Sequence, residues 1–262
     1  MLRTSAPLIG ALDCIETMAN IGRVNFLEFL SIEEHNLLAS MCNMREEFDL
    51  FVNLDEIFKE PLNRLKPKPD DIVIPQLYFF VHYHLLISVA DILRVHLSEA
   101  LSSTRKAIDG ALTAYELITH PEKTTAYLNG DRHFLSIKAA VKKRMEKEPG
   151  SYPLAAGLVG LHELCSQFGS HADFSSFAHR QQINRKESGD IEVVFDYFHK
   201  PEKPEEFKYY FLSVLHAYYQ MFGIFREYFD CQFKVIDPAW ERRIEVLARE
   251  LPVKIKALKA RL

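Results

Sequence analysis

Residues 75–119 read Pro75-Gln-Leu-Tyr-Phe-Phe-Val-His-Tyr-His-Leu-Leu-Ile-Ser-Val-Ala-Asp-Ile-Leu-Arg-Val-His-Leu-Ser-Glu-Ala-Leu-Ser-Ser-Thr-Arg-Lys-Ala-Ile-Asp-Gly-Ala-Leu-Thr-Ala-Tyr-Glu-Leu-Ile-Thr119. After Pro75 there is no proline and one glycine, Gly110, so the run predicts one long helix with a bend near Ser102-Ser103. At 1.5 Å per residue it would span roughly 65 Å, longer than a compact domain is wide. Its first half is apolar nearly all round, from Leu77 through Leu93. A helix of that kind is covered on several sides, which makes it the centre of a bundle. His82, His84, Asp91, Arg94 and His96 interrupt the run and would be costly in a bilayer, so a core helix is expected and not a membrane span.

On the C-terminal side, His120-Pro121-Glu122 ends this helix and starts a short one. Residues 131–147 form a basic amphipathic segment that Glu148-Pro-Gly-Ser-Tyr-Pro153 stops. Leu154, Leu158, Leu161, Cys165 and Phe168 then recur at four and three, a helix that should lie against the central one. Residues 180–186 and 190–198 flank the turn Glu187-Ser-Gly-Asp190 with a partial period of two, which predicts a small β-hairpin. Past the turn-like Lys200-Pro-Glu-Lys-Pro204, an aromatic-rich helix runs from Glu205 to about Asp230, and Pro238 opens a last one, Ala239 to Leu262. On the N-terminal side, two prolines in Leu65-Lys-Pro-Lys-Pro-Asp-Asp71 break the chain. Before them, two or three short helices are expected, with Ser31 and Glu34 as a capping box.

The expected fold is therefore mainly all-α, a multi-helix bundle around one long central helix with a small hairpin near 180–198. An N-terminal helical segment (1–70) packs on a core (71–237), and a basic C-terminal helix (238–262) completes it. With 262 residues, 48% of them hydrophobic, the chain can bury a substantial core, which excludes disordered and low-complexity classes. A formal charge of −4 supplies no global field for nucleic acid or anionic lipid. Cys14, Cys42, Cys165 and Cys231 are far apart and offer no CxxC pair, so reduced thiols in a cytoplasmic protein are expected. Residues 1–22 lack a continuous apolar stretch and a convincing cleavage site, so no secretory signal is expected there.

Three groups of residues could carry chemistry. Ser88, Asp91, Ser98, Ser102, Arg105, Asp109, Thr113 and Glu116 share one face of a continuous helix, with Arg105 and Asp109 at i and i+4, where a guanidinium reaches a carboxylate. Left in water this is a solvated face; covered by other helices it becomes a set of buried polar groups that need partners. The second group is His162-Glu-Leu-Cys-Ser166-Gln-Phe-Gly-Ser-His171-Ala-Asp173, where Ser, His and Asp are neighbours but no Gly-x-Ser-x-Gly elbow is present. His171 reads there as a capping and hydrogen-bonding residue. The third is histidine: no His-Glu-x-x-His and no Glu-x-x-His occurs, so neither a metal site nor any cofactor is expected.

The segments Ser103-Thr-Arg-Lys-Ala-Ile-Asp-Gly-Ala-Leu-Thr-Ala-Tyr115, His120-Pro-Glu-Lys-Thr-Thr-Ala-Tyr-Leu128 and Leu164-Cys-Ser-Gln-Phe-Gly-Ser-His171 resemble those of uncharacterised bacterial helical proteins related to the HEPN superfamily. The resemblance covers about residues 75–235, in short motifs. It implies an α-helical bundle, often dimeric, in a group with both ribonucleases and inactive binding members, and it makes Arg105, Asp109, Ser166 and His171 the recurring polar positions. The ribonuclease signature, an Arg followed by a His after four to six residues, is missing; Gly110, Ala111 and Leu112 stand at those offsets from Arg105.

The leading expectation is a helical protein that binds a partner protein or small ligand at a pocket of Arg105, Asp109, Ser166 and His171. The alternative is a hydrolase of ribonuclease type with His171 as acid or base and Arg105 at the phosphate. A third reading places nucleic acid on Lys138, Lys142, Lys143 and Arg144 and on the C-terminal helix. A homodimer fits the first two, and no reading involves a membrane.

Overall fold

The computed structural model describes residues 25–64, 72–169, 181–186, 189, 191–195, 198, 203–232 and 237–262. The proline-rich stretch 65–71 and the segment around His171 lie outside them. Among the described residues the protein is an all-α bundle of ten helices with one two-stranded sheet. The helices are α1 (Phe26–Asn43), α2 (Arg45–Arg64), α3 (Val73–Leu93), α4 (Leu97–Thr119), a 3-10 turn Pro121–Lys123, α5 (Thr124–Leu128), α6 (Arg132–Leu135), α7 (Ile137–Lys147), α8 (Ala155–Gly169), α9 (Pro204–Gln232) and α10 (Pro238–Lys259). The hairpin forms where its turn residues place it. Strands β1 (Gln181–Arg185) and β2 (Ile191–Phe195) pair antiparallel with Ile183 opposite Val193, and Gly189 takes the left-handed φ of 88° in the turn.

The stretch expected to be one long helix is instead two helices packed against each other. The break falls at Arg94-Val95-His96, not at Ser102-Ser103. Val95 adopts φ 70°, His96 N donates to Asp91 O at 2.8 Å and Val95 N donates to Ile92 O at 2.8 Å. These two bonds make a Schellman end, which glycine usually occupies. A β-branched residue gives no sign of it, because left-handed backbone costs such a side chain about 1–2 kcal/mol. Val95→Gly is accordingly expected to raise stability by about 0.5–1 kcal/mol, measured by urea unfolding.

Folding back lets α3 and α4 bury each other. Ala100, Ala107, Ala111 and Ala114 of α4 are fully buried, and Phe80 lies over Gly110, where an added Cβ would come within 2.9 Å of its ring. α9 covers α3, α4 and α2; α8 covers α4; α10 lies on α9 and α2. α3 is the one helix among the described residues long and apolar enough to cross a bilayer, but 61% of that window is buried inside the bundle. The core is continuous from α2 to α10. Tyr78 donates to Phe58 O at 2.9 Å, and Trp240 Nε1 donates to Ile57 O at 3.0 Å.

At the N-terminal end the expected Ser31–Glu34 box does not form, because α1 already begins six residues earlier. Asn25 Oδ1 accepts from the N–H groups of Leu27 and Glu28 at 3.0 Å, and Glu28 accepts from Asn25 N at 2.9 Å. This reciprocal cap satisfies the first free donors of the helix and leaves Ser31 inside it. α10 starts as read, with Asp237 accepting from Ala239 N at 2.8 Å and Pro238 in the first turn.

Candidate functional site

The break at Val95 divides the polar stripe. Ser88 and Asp91 belong to α3, and the other six residues run along α4. Three clusters result, set by which neighbouring helix covers each stretch.

At the top of α3 the stripe is sealed. Ser88 is wholly buried; its hydroxyl donates to Ala100 O at 3.1 Å and lies 3.2 Å from Thr104 Oγ1. The Tyr218 hydroxyl, 2.9 Å away, is left to donate to Ser88. Burial pushes the Tyr218 phenol well above its ordinary pKa, so it remains a neutral donor. This network ties α3, α4 and α9 together without access to solvent.

In the middle of α4, α8 runs alongside. Asp109 Oδ1 stands 3.0 Å from His162 Nε2, at ion-pair distance but outside hydrogen-bond geometry. The Asp109 side chain is 44% exposed, while His162 is buried. Ser166 Oγ donates to His162 O at 2.7 Å and sits 3.4 Å from His162 Nδ1. Ser166, His162 and Asp109 thus lie in series, but the serine proton goes to the carbonyl four residues back. A nucleophile would have to give it to the imidazole. Arg105, one turn before Asp109, makes no ion pair among the described residues, and its Nε is buried without a hydrogen-bond partner. Its charge is felt at Cys165, whose thiol burial pushes up to about 12 against the pull of Arg105. The structure therefore joins Asp109 to Ser166 through His162, a residue not among the expected site residues. His171 lies outside the described residues.

At the far end of α4, Glu116 is 1% exposed and collects a ring of donors from the segment that follows. Lys123 and Tyr152 hydrogen-bond its carboxylate, His133 Nε2 is 3.2 Å away and Arg144 Nη1 3.8 Å away. Burial works to raise the Glu116 pKa, but Lys123 and Tyr152 outweigh it and hold the carboxyl below its ordinary value. Burial and the neighbouring carboxylate push the Tyr152 phenol well above its own. Arg144 also lies over the Tyr152 ring, 5.8 Å from its centre. Among the described residues no group of three His, Cys, Asp or Glu could hold a metal ion.

The basic segment is largely engaged within the chain. Lys142 and Lys138 reach Glu163 at 3.1 and 3.7 Å, and Arg144 is shared between Glu116 and Glu148; Lys143 has no ion pair among the described residues. The basic α10 is likewise fastened to α2 and α9, through Arg243–Glu56 at 3.5 Å, Lys254–Glu46 at 3.3 Å and Glu241–Arg226 at 2.9 Å.

The outer face of α3 has a different character. Ile72, Phe79, Phe80, Tyr83 and Leu86 are exposed, with Phe79 at 59% and Tyr83 at 50%. From Ile72 to Ala90 there is no Asp, Glu, Lys or Arg. The all-round apolar pattern signals only that the helix is covered; which of its faces stays open depends on where α2, α4 and α9 pack. No known protein family, curated protein or solved structure matches the chain.

Proposed function

We propose that this protein is a non-catalytic helical binding protein, a cytoplasmic relative of the HEPN-type bundles, whose main partner is another protein docked on α3. The observation that carries this reading is the uncharged aromatic face of α3. Ile72, Phe79, Tyr83 and Leu86 follow one another at seven, four and three residues, the spacing of a helix-packing seam. Exposed apolar side chains gathered on one helix face mark interaction sites, and aromatic side chains carry much of the energetics of such contacts. The polar pocket of the same reading has its described part at Arg105, Asp109 and Ser166, where Arg105 offers a guanidinium without an ion-pair partner among the described residues and Asp109 is half exposed. Catalysis gains no support at Ser166, since its proton is committed to a backbone carbonyl.

The test is a photo-crosslinking amino acid placed at Tyr83 in cells of the source organism. The expected result is a discrete protein adduct that disappears when Phe79→Asp is added. Because both positions are exposed, Phe79→Asp and Tyr83→Asp should each change the unfolding free energy by no more than about 0.5 kcal/mol. A folded protein that gives no adduct at position 83 overturns the proposal.

A further inference from the structure

Where α3 turns into α4, a cleft of about 280 Å³ opens between the last turn of one helix and the first three turns of the other, lined by Asp91, Ser98, Glu99, Ser102, Ser103 and Lys106. Every lining residue is polar, in contrast to the aromatic face of α3.

Ser103 is the informative residue. It is only 7% exposed, it lines the cleft, and its hydroxyl makes no hydrogen bond among the described residues. A buried serine or threonine in a helix ordinarily returns its proton to the carbonyl four residues back, as the adjacent Thr104 does to Ala100 at 2.8 Å. The Ser103 oxygen is not sealed from solvent, and the side on which it is open is the cleft, where a bound molecule can meet it.

The charges around it are divided into two poles. At one end, Asp91 makes no ion pair among the described residues, and Glu99 beside it accepts from Ser98 at 2.9 Å. Burial is the main cause that pushes the Asp91 carboxyl up to about 6; Glu99 and Glu33 add to the effect, and His96 and Arg94 oppose it. The carboxylate thus sits where a cation would be welcome. At the other end, seven residues and roughly 10 Å along the helix from Glu99, Lys106 is exposed and has no ion pair among the described residues. Its charge acts on His84 of α3, which burial first and Lys106 second hold below the ordinary histidine pKa. A neutral imidazole gives Lys106 no counter-charge.

We propose that this cleft binds a small zwitterion of the amino-acid type, with its ammonium group against Asp91 and Glu99, its carboxylate drawn to Lys106, and the hydroxyls of Ser102 and Ser103 on its polar middle. A diamine would meet repulsion at Lys106, and a simple carboxylate would meet it at Asp91 and Glu99. The cleft lies slightly below the size range of pockets for drug-sized ligands, which suits a small metabolite. None of its lining residues belongs to the exposed aromatic set of α3, so this proposal and the protein-docking one are tested by different substitutions.

The experiment is calorimetric titration of the full chain with each of the twenty L-amino acids, with propylamine and acetate as single-charge probes. At least one amino acid is expected to bind saturably and raise the melting temperature, while propylamine and acetate do not. Asp91→Asn and Lys106→Ala should each weaken that binding at least about tenfold, and Ser103→Ala about threefold, all three with an unchanged far-UV spectrum. Lys106 is exposed, so its variant tests binding without a risk to folding. Three results overturn the proposal: no amino acid saturates at millimolar concentration, propylamine or acetate binds as tightly as the best amino acid, or Lys106→Ala binds as well as the parent protein.

Discussion

Glu116→Ala is expected to cost about 3 kcal/mol of unfolding free energy, measured by urea denaturation at neutral pH. The carboxylate is almost completely buried and faces Lys123, Tyr152, His133 and Arg144. Removing it leaves Lys123 and the Tyr152 phenol without their acceptor and Arg144 with Glu148 alone, and the penalty for a stranded charge exceeds the net worth of the pair. Lys123 and Arg144 are each about a third exposed and can turn partly to water, which keeps the expected cost at the lower end of the range for buried pairs. Glu116→Gln, which retains the shape and one acceptor oxygen, should cost about half as much. The damage should concentrate in residues 121–147, so amide exchange there should accelerate more than in α3 or α9. The sign with pH follows from the direction of the shift. Glu116 has a folded pKa below its unfolded one, so its contribution is fully present above the ordinary glutamate value of about 4.3 and is lost as pH falls through the lower folded value. The stability gap between parent and Glu116→Gln should therefore close on acidification below pH 4. A gap independent of pH would show that the carboxylate charge is not what holds this segment.

Phe58→Ala should cost about 3–5 kcal/mol. Phe58 is fully buried and stacks on Tyr78 and His82 with ring centres 5.2 and 5.4 Å apart, while Phe222 meets it edge-on at 5.6 Å. Its carbonyl also accepts the Tyr78 hydroxyl. One ring therefore couples α2 to both α3 and α9. His82, part of that stack, lies 2.8 Å from Asp55, which also pairs with Lys59, so the cavity would open next to a buried polar contact. Phe58→Leu fills most of the space and should cost only about 1–1.5 kcal/mol. Because α2 shares the continuous core, guanidinium unfolding of Phe58→Ala should remain one transition, displaced to lower denaturant. An early separate phase would show that α2 is held as an independent unit.

The helical class and most element boundaries were legible because local chemistry sets them. Asp237-Pro238 caps α10, Pro204 opens α9, the run Glu148–Pro153 separates α7 from α8, and Gly189 takes the left-handed φ between the two strands of the hairpin. Each is a backbone preference that acts over a few residues and is not overridden by packing. Asn25 and Glu28 obey the same chemistry as the expected Ser31 and Glu34, but the earlier cap wins because it lengthens the helix by almost two turns.

The α3–α4 break and the polar clusters belong to the tertiary structure. Val95 carries no local signal for a left-handed turn; its strain is repaid by the face of α3 that the alanines of α4 can then approach closely. The turn also decides that Asp91 faces Ser102 and Ser103 across a cleft instead of sharing one stripe with Arg105. His162 was visible as a neighbour of Ser166 on one helix but not as the partner of Asp109, and Glu116 only as one acid on a polar face. Asp109 meets His162 across 53 residues of chain, and Glu116 meets Tyr152 across 36. Sequence by itself determined that the chain forms amphipathic helices and where most of them begin and end, because caps, prolines and apolar periodicity act within a turn or two. Which polar groups are buried together, and which apolar face is left bare, was decided only when the helices packed, because those contacts depend on distances that no local spacing encodes.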